Sequence, residues 1–248
     1  MAQIAVITGG SRGIGAATAR RLASDGWDVA ISYVTRAEEA ERVVRECRDF
    51  GVRAEAIRAD VGRDDDVVNL FRVIDERLGT LRALVNNAGI VGPKARVDAL
   101  DATRIATMFA VNVVGAFGCA REAVRRMSTT VGGAGGVIVN VSSAAARIGS
   151  PGEYVDYAAS KGAVDTLTLG LAKEVAMEGI RVNGVRPGII RTEIHASGGQ
   201  PDRLERIAPM VPMQRAGEAN EVAAAIAWLC RDEASYVTGA ILDVSGGR

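Results

Sequence analysis

A doubly wound α/β fold, with a parallel sheet covered by helices on both faces, follows from three observations. Short β-branched runs alternate with longer helical patterns along the whole chain. The strand-like runs are apolar throughout instead of alternating, as strands buried on both faces are. Apolar residues make up 48 % of the chain but aromatic residues only 4 %. The core is therefore Ala, Val, Ile and Leu, the composition of helices packed on a buried sheet.

The elements follow in order. IAVIT (4–8) reads as a strand and GIGAATARRLASDG (13–26) as a helix closed by Gly26. DVAISY (28–33) is the next strand, RAEEAERVVRECRDFG (36–51) a charged helix and RAEAIRAD (53–60) a third strand. RDDDVVNLFRVIDERLG (63–79) opens on acids, which the helix dipole favours. ALVNNAG (83–89) is followed by a long helical region across 101–128. GGVIVNVSS (135–143) is a fifth strand, 156–178 a long helix and IRVNGVRPG (180–188) a sixth strand. ANEVAAAIAWLCRD (219–232) is a helix and AILDVSGG (240–247) the last strand. The segment 189–218 is rich in Gly, Pro and Met and too long for a plain loop. It reads as a small lid or substrate-binding insertion in a single domain spanning 1–248.

With 30 basic and 30 acidic residues, the formal net charge of +0 gives no basic footprint for nucleic acid and no polybasic membrane anchor. MAQIAVITGG carries no charged leader region, and no stretch approaches the roughly 18 apolar residues of a membrane span. Cys47, Cys119 and Cys230 have no disulfide or metal spacing, and the single histidine, His195, makes a His-based metal site improbable. The expectation is a cytoplasmic protein with reduced, buried cysteines and no metal.

TGGSRGIG (8–15) joins the first strand to the first helix. Gly9, Gly13 and Gly15 permit a tight turn and close backbone approach to a pyrophosphate at a helix N-terminus, with Gly10 as an extra. An acid at the end of the second strand commonly holds the ribose of NAD. Here Tyr33 and Val34 occupy that place, with Arg36 close by and Arg12 inside the glycine loop. Two arginines and no acid favour a 2′-phosphate, hence NADP(H) over NAD(H).

TGGSRGIG, Asp60-Val61, NNAG (86–89), Asn112, Ser142-Ser143, YAASK (157–161), RPGIIRT (186–192) and VTGAILDVSGG (237–247) together resemble the short-chain dehydrogenase/reductase family, in the family's order and over nearly the whole chain. Both 3-oxoacyl reductases and sugar or polyol dehydrogenases of the family are similar. The resemblance implies an enzyme that interconverts an alcohol and a ketone by hydride transfer. It assigns Asn112, Ser143, Tyr157 and Lys161 to catalysis. The glycine loop with Ser11 and Ile14 would bind the cofactor. Asp60 and Val61 would hold the adenine, and Asn86 or Asn87 with Ala88 and Gly89 would line the ribose side. Pro187, Gly188, Ile190 and Thr192 would meet the nicotinamide. It also implies homotetramers or dimers, packed through the helices at 101–128 and 156–178 and the closing VSGG region.

The chemistry explains these residue types. Hydride transfer to a carbonyl leaves an alkoxide that needs a proton, which the nicotinamide does not supply. A free tyrosine, with a pKa of about 10, is too weak an acid for ready exchange near neutral pH, and a nearby cation favours its phenolate. Tyr157 and Lys161 are four apart, one helical turn on one face. The Ser143 hydroxyl is placed to orient the substrate oxygen. Neighbours on a strand face opposite ways, so only one of Ser142 and Ser143 reaches the pocket, and Ser143 holds the second place of the family's pair. Ser143 and Tyr157 stand one residue further apart than is usual in the family, and Gly149, Pro151 and Gly152 supply a loop to absorb it. Ser160 reads as helix packing.

Expected pocket walls are Ile90 and Val91, Ala144, Ala145 and Ala146, Glu153 and Tyr154, and the lid with His195. That wall is mostly apolar with one acid, and it leaves acyl ketones, sugars and steroids equally open. Two other classes stay in view: a nucleotide-sensing protein without catalysis, and an epimerase that recycles its cofactor.

Overall fold

A computed structural model describes residues 3–248, the side chain of His195 excepted. In chain order the elements are β1 (Ile4–Ile7), α1 (Gly13–Ser24), β2 (Asp28–Tyr33), α2 (Ala37–Arg48), β3 (Ala54–Arg58), α3 (Asp64–Arg77) and β4 (Leu81–Asn86). They continue with α4 (Ala102–Phe109), α5 (Gly115–Met127), β5 (Gly136–Val141), α6 (Ala145–Ile148), α7 (Val155–Glu174) and β6 (Ile180–Pro187). Then come β7 (Ile190–Arg191), α8 (Ile194–Ser197), α9 (Arg203–Ile207), β8 (Gly217–Glu218), α10 (Ala219–Cys230) and β9 (Ile241–Val244).

The main sheet has seven strands in the order β3-β2-β1-β4-β5-β6-β9, every pair parallel. This is the expected doubly wound fold. Successive strand residues serve opposite cores, as the two-residue period requires. Ala5, Ile7, Val29, Ile31, Ala83 and Val85 face one core, filled by Leu22 of α1, Val43 of α2 and Ile226 of α10. Ile4, Val6, Ala30, Leu84, Ile138 and Val182 face the other, with Phe71 of α3 and Met127 of α5. Cys47, Cys119 and Cys230 are free and buried, and burial raises their thiols to about 11, 12 and 12.

Two readings of the region 101–128 are corrected here. The helical region 101–128 is not continuous: a π-helical turn, Ala110–Val114, separates α4 from α5. Read as one helix, Ala102–Met127 is also long and apolar enough to cross a membrane by length and composition, with mean hydropathy 1.3. Only 33 % of its apolar 18-residue window is buried; Met108, Cys119 and Ala120 are enclosed, whereas Val114 and Phe117 are exposed. Segment 189–218 carries β7 and β8, paired with each other outside the main sheet, and the short helices α8 and α9.

Candidate active site

The parallel strands aim their carboxyl ends at one edge, and strand order reverses between β1 and β4, where open α/β sheets form a crevice. Segments 8–15, 87–89, 142–144 and 188–192 leave the sheet there.

The first of these is the glycine loop. Gly9 and Gly13 have φ of 65° and 54°, a region that disfavours side chains. A Cβ on Gly9 would lie 3.0 Å from Ala88 Cα, and one on Gly15 would lie 2.5 Å from Gly9 O. A dinucleotide fits this cradle, because backbone stands where a side chain would fill the cleft. Gly10, an extra in the sequence reading, is required by packing: its Cβ would sit 2.6 Å from Ile31. Ser11, Arg12, Ile14, Tyr33, Arg36, Asp60, Val61, Asn87, Ala88 and Gly89 line the cleft with Gly9 and Gly13, whereas Gly15 lies behind it. Asn86 does not reach the cleft. It is buried in the sheet and donates from Nδ2 to Asn140 Oδ1 at 3.0 Å. Asn87 instead ties the 87–89 segment to the loop, donating to Thr8 O at 2.8 Å. Arg12 and Arg36 stand at the outer end of the cleft, and both engage Glu193, at 3.1 and 2.8 Å.

Tyr157 lies in the first turn of α7, with Lys161 one turn on. The Ser143 hydroxyl hydrogen-bonds the Tyr157 side chain and accepts from Ala145 N at 3.1 Å. Lys161 is buried. Its Nζ donates to Val141 O at 2.8 Å and lies 5.8 Å from the centre of the Tyr157 ring. Burial lowers the Lys161 pKa to about 8, opposed by Asp165 one turn further on. Burial also raises the Tyr157 phenol, opposed by its bond to Ser143. The chain alone therefore does not depress the tyrosine, contrary to the expectation from the Tyr157–Lys161 spacing, because desolvation outweighs the one hydrogen bond.

Asn112 sits in the π-turn, fully enclosed. Its Oδ1 accepts from Ile90 N at 2.8 Å, and its Nδ2 donates to Ile90 O and to Ser160 Oγ, both at 3.0 Å. Ser160 donates on to Tyr157 O at 2.7 Å, so it links Asn112 to the start of α7. Strand alternation does not separate the two serines, because β5 ends at Val141 and both line the cavity. They differ in partner: the Ser142 hydroxyl donates to Lys161 O at 3.1 Å. Between Ser143 and Tyr157 the chain makes a tight turn where Gly149, Ser150 and Gly152 all have positive φ.

Ser143, Tyr157 and Lys161 share a cavity of about 150 Å³ with Ala145, Tyr154, Pro187, Gly188, Ile190 and Thr192. Ile14, Asn87, Gly89 and Thr192 wall both this cavity and the glycine-loop cleft, so the two adjoin. Tyr154 is buried at the start of α7, hydrogen-bonded to Gln200. Ile90 faces the cleft instead of the cavity, where Val91 stands. Glu153 is not on the wall. It pairs with Arg203, which is, together with Arg248. Sequence reasoning missed both arginines, since neither belongs to a periodic pattern or motif. The side chain of His195 lies outside the described residues.

A family model described as enoyl-(acyl carrier protein) reductase matches residues 9–248. The chain belongs to the short-chain dehydrogenase/reductase family. It is an oxidoreductase of the kind that acts on CH–OH or carbonyl groups. An uncharacterized oxidoreductase of Escherichia coli, YgfF, is 55 % identical over 99 % of both chains. The cis-4-hydroxycyclohexanecarboxylate dehydrogenase of Sinomonas cyclohexanicum is 42 % identical, over 99 % of this chain and 96 % of its own. A short-chain dehydrogenase of Burkholderia cenocepacia in complex with NADP is 36 % identical with a TM-score of 0.90, covering 99 % of this chain and 97 % of its own. A 3-ketoacyl-(acyl-carrier-protein) reductase of Brucella melitensis complexed with NADH has a TM-score of 0.92 at 32 % identity, covering 99 % of this chain and 98 % of its own.

Proposed function

We propose that this enzyme interconverts a secondary alcohol and a ketone with NADP(H), Tyr157 serving as the acid and base. One observation carries the reading: the Tyr157 phenol, bonded to Ser143, opens into a cavity that adjoins the glycine-loop cleft. Hydride transfer is the chemistry a nicotinamide supplies when bound. Tyr157 gives its proton to the substrate oxygen in reduction and takes it back in oxidation. Ser143 donates to the same oxygen and fixes its distance from the phenol. Lys161, held by Val141 O, keeps a positive charge beside the phenol ring, which favours the phenolate left after proton transfer. Asn112 holds the 90 segment and, through Ser160, the backbone of Tyr157 in register.

Arg12 and Arg36, with no acid after β2, support NADP(H) over NAD(H). Exposed Val114 and Phe117 near the start of α5 and Leu169 on α7 support a homo-oligomer packed through these helices, a tetramer or a dimer. The three buried free thiols support a cytoplasmic setting. A carbonyl and alcohol panel run with both cofactors tests the whole. Tyr157→Phe is expected to abolish turnover and leave NADPH fluorescence on binding intact. Full turnover in that variant overturns the assignment.

A further inference from the structure

The geometry points to a carboxylate-binding subsite in the substrate cavity, formed by Arg248 and Arg203, so that the substrate is a hydroxy or oxo acid. This rests on the alcohol–ketone reading above and names its substrate class. Among the described residues the cavity wall carries three cations, Lys161, Arg203 and Arg248, and no Asp or Glu side chain. Lys161 is engaged at Val141 O beside Tyr157. The other two belong to the substrate side, where Tyr154 and Ser150 also stand.

Arg203 is only 7 % exposed. Its guanidinium lies 4.9 Å from the centre of the Tyr154 ring and donates to Glu153 at 2.5 Å. A buried arginine needs such a partner, and Glu153 meets its charge from behind the wall. The same carboxylate also faces Lys94 at 3.9 Å and, more distantly, Arg206 at 4.0 Å, which has Asp202 at 3.7 Å as well. Arg248 has no ion pair and no side-chain hydrogen bond among the described residues, although it is half-buried on the cavity wall. Burial and the neighbouring Arg203 lower its pKa, opposed by the more distant charge of Glu153. Much of the remaining wall is Ala, Val, Ile and Pro, with Asn87, Thr192 and three serines beside them, which leaves room for an apolar body between the carboxylate and the reacting oxygen. A planar carboxylate matches the fork of a guanidinium and supplies the missing charge.

The test compares matched substrates and matched ligands. With 4-oxocyclohexanecarboxylate and its methyl ester, the wild type is expected to favour the acid in kcat/KM by roughly 10- to 100-fold, the range of a charge-assisted pair. Arg248→Gln is expected to remove most of that preference by raising KM for the acid. Equal use of acid and ester by the wild type, or equal loss of both in Arg248→Gln, overturns the subsite. Binding is read separately, without turnover, as protection of the NADPH-loaded protein against heat by cyclohexanecarboxylate. Protection is expected in the wild type and not in Arg248→Gln, and no protection in the wild type overturns the subsite. Phenylphosphonate in place of the carboxylate distinguishes the anion: protection stronger than by the carboxylate assigns the arginines to a phosphoryl group and overturns the acid substrate. Turnover of no ketone beside intact protection refutes the alcohol–ketone reading and leaves the subsite standing. Arg203→Gln removes a buried partner of Glu153, so Arg248→Gln is the deciding variant.

Discussion

Glu193 occupies the two arginines that a 2′-phosphate would use, and replacing it therefore changes cofactor affinity in a selective way. Arg36 and Arg12 lie 2.8 and 3.1 Å from its carboxylate, with side chains 37–56 % exposed. Ion pairs this exposed contribute about 0.5 kcal/mol each, so displacing both costs about 1 kcal/mol. Glu193→Gln removes that competition, and NADPH binding is expected to tighten by about 5-fold. NADH has no 2′-phosphate, and its affinity should stay within about 2-fold by the same arithmetic. Arg36→Gln supplies the opposite limit: loss of a charge-assisted bond weakens NADPH by roughly 10- to 100-fold and spares NADH. Fluorescence titration of both cofactors, at low and high salt, measures all four values, and the NADPH difference should shrink with salt. The reasoning fails if Glu193→Gln shifts NADH and NADPH equally, since the carboxylate would then act on the shape of α8 and not on the phosphate site.

Three further outcomes are expected. Lys161 is held at a pKa of about 8, below its ordinary 10.5, so the unfolded chain binds more protons between these values and stability rises with pH across that window. Lys161→Met should abolish turnover yet raise the melting temperature of the cofactor-free protein at pH 7. The relieved burial is about 3 kcal/mol and the lost bond to Val141 O about 1, leaving roughly 4–8 °C. The gain should vanish by about pH 10.5, and an equal effect at both pH values would refute the assignment to a buried charge. Gly10→Ala forces a Cβ to within 2.6 Å of Ile31 and should cost about 1–3 kcal/mol in a urea melt; an unchanged midpoint would show that the loop yields freely. Phe117→Asp, on the exposed side of α5, should reduce the mass seen by light scattering to that of a monomer, and an unaltered oligomer would place the interface elsewhere.

Most of the sheet was legible because each strand is buried on both faces and so reads as an unbroken apolar run. The glycine loop, Asn112, the serine pair and Tyr157–Lys161 were legible as motifs resembling the family's, and the structure gathers them at one edge. Their partners were not. That Asn86 turns into the sheet while Asn87 turns into the cleft depends on where β4 ends. Alternation does not separate the serine pair for the same reason, since β5 stops one residue before it. The arginines of the cavity wall come from α9 and from the residues after β9, segments with no period to read. Glu193 meets Arg12 and Arg36 only through contacts about 160–180 residues long in sequence, which local patterns do not encode.

The π-turn at Ala110–Val114 has a consequence for how this protein can vary. Each helical residue advances about 100° around the axis, so one residue of surplus rotates everything downstream by that angle. Upstream, α4 sends Arg104 to Asp156 of α7 at 2.8 Å. Downstream, α5 lays Cys119, Ala120 and Ala123 into the core shared with α3. The turn is a phase joint between two faces that an unbroken helix could not serve together. Deleting one residue there would straighten the rod and set one face at odds with its neighbour. With the joint in place, α4 keeps its ion pair with α7 while α5 stays bound to the packing of the sheet.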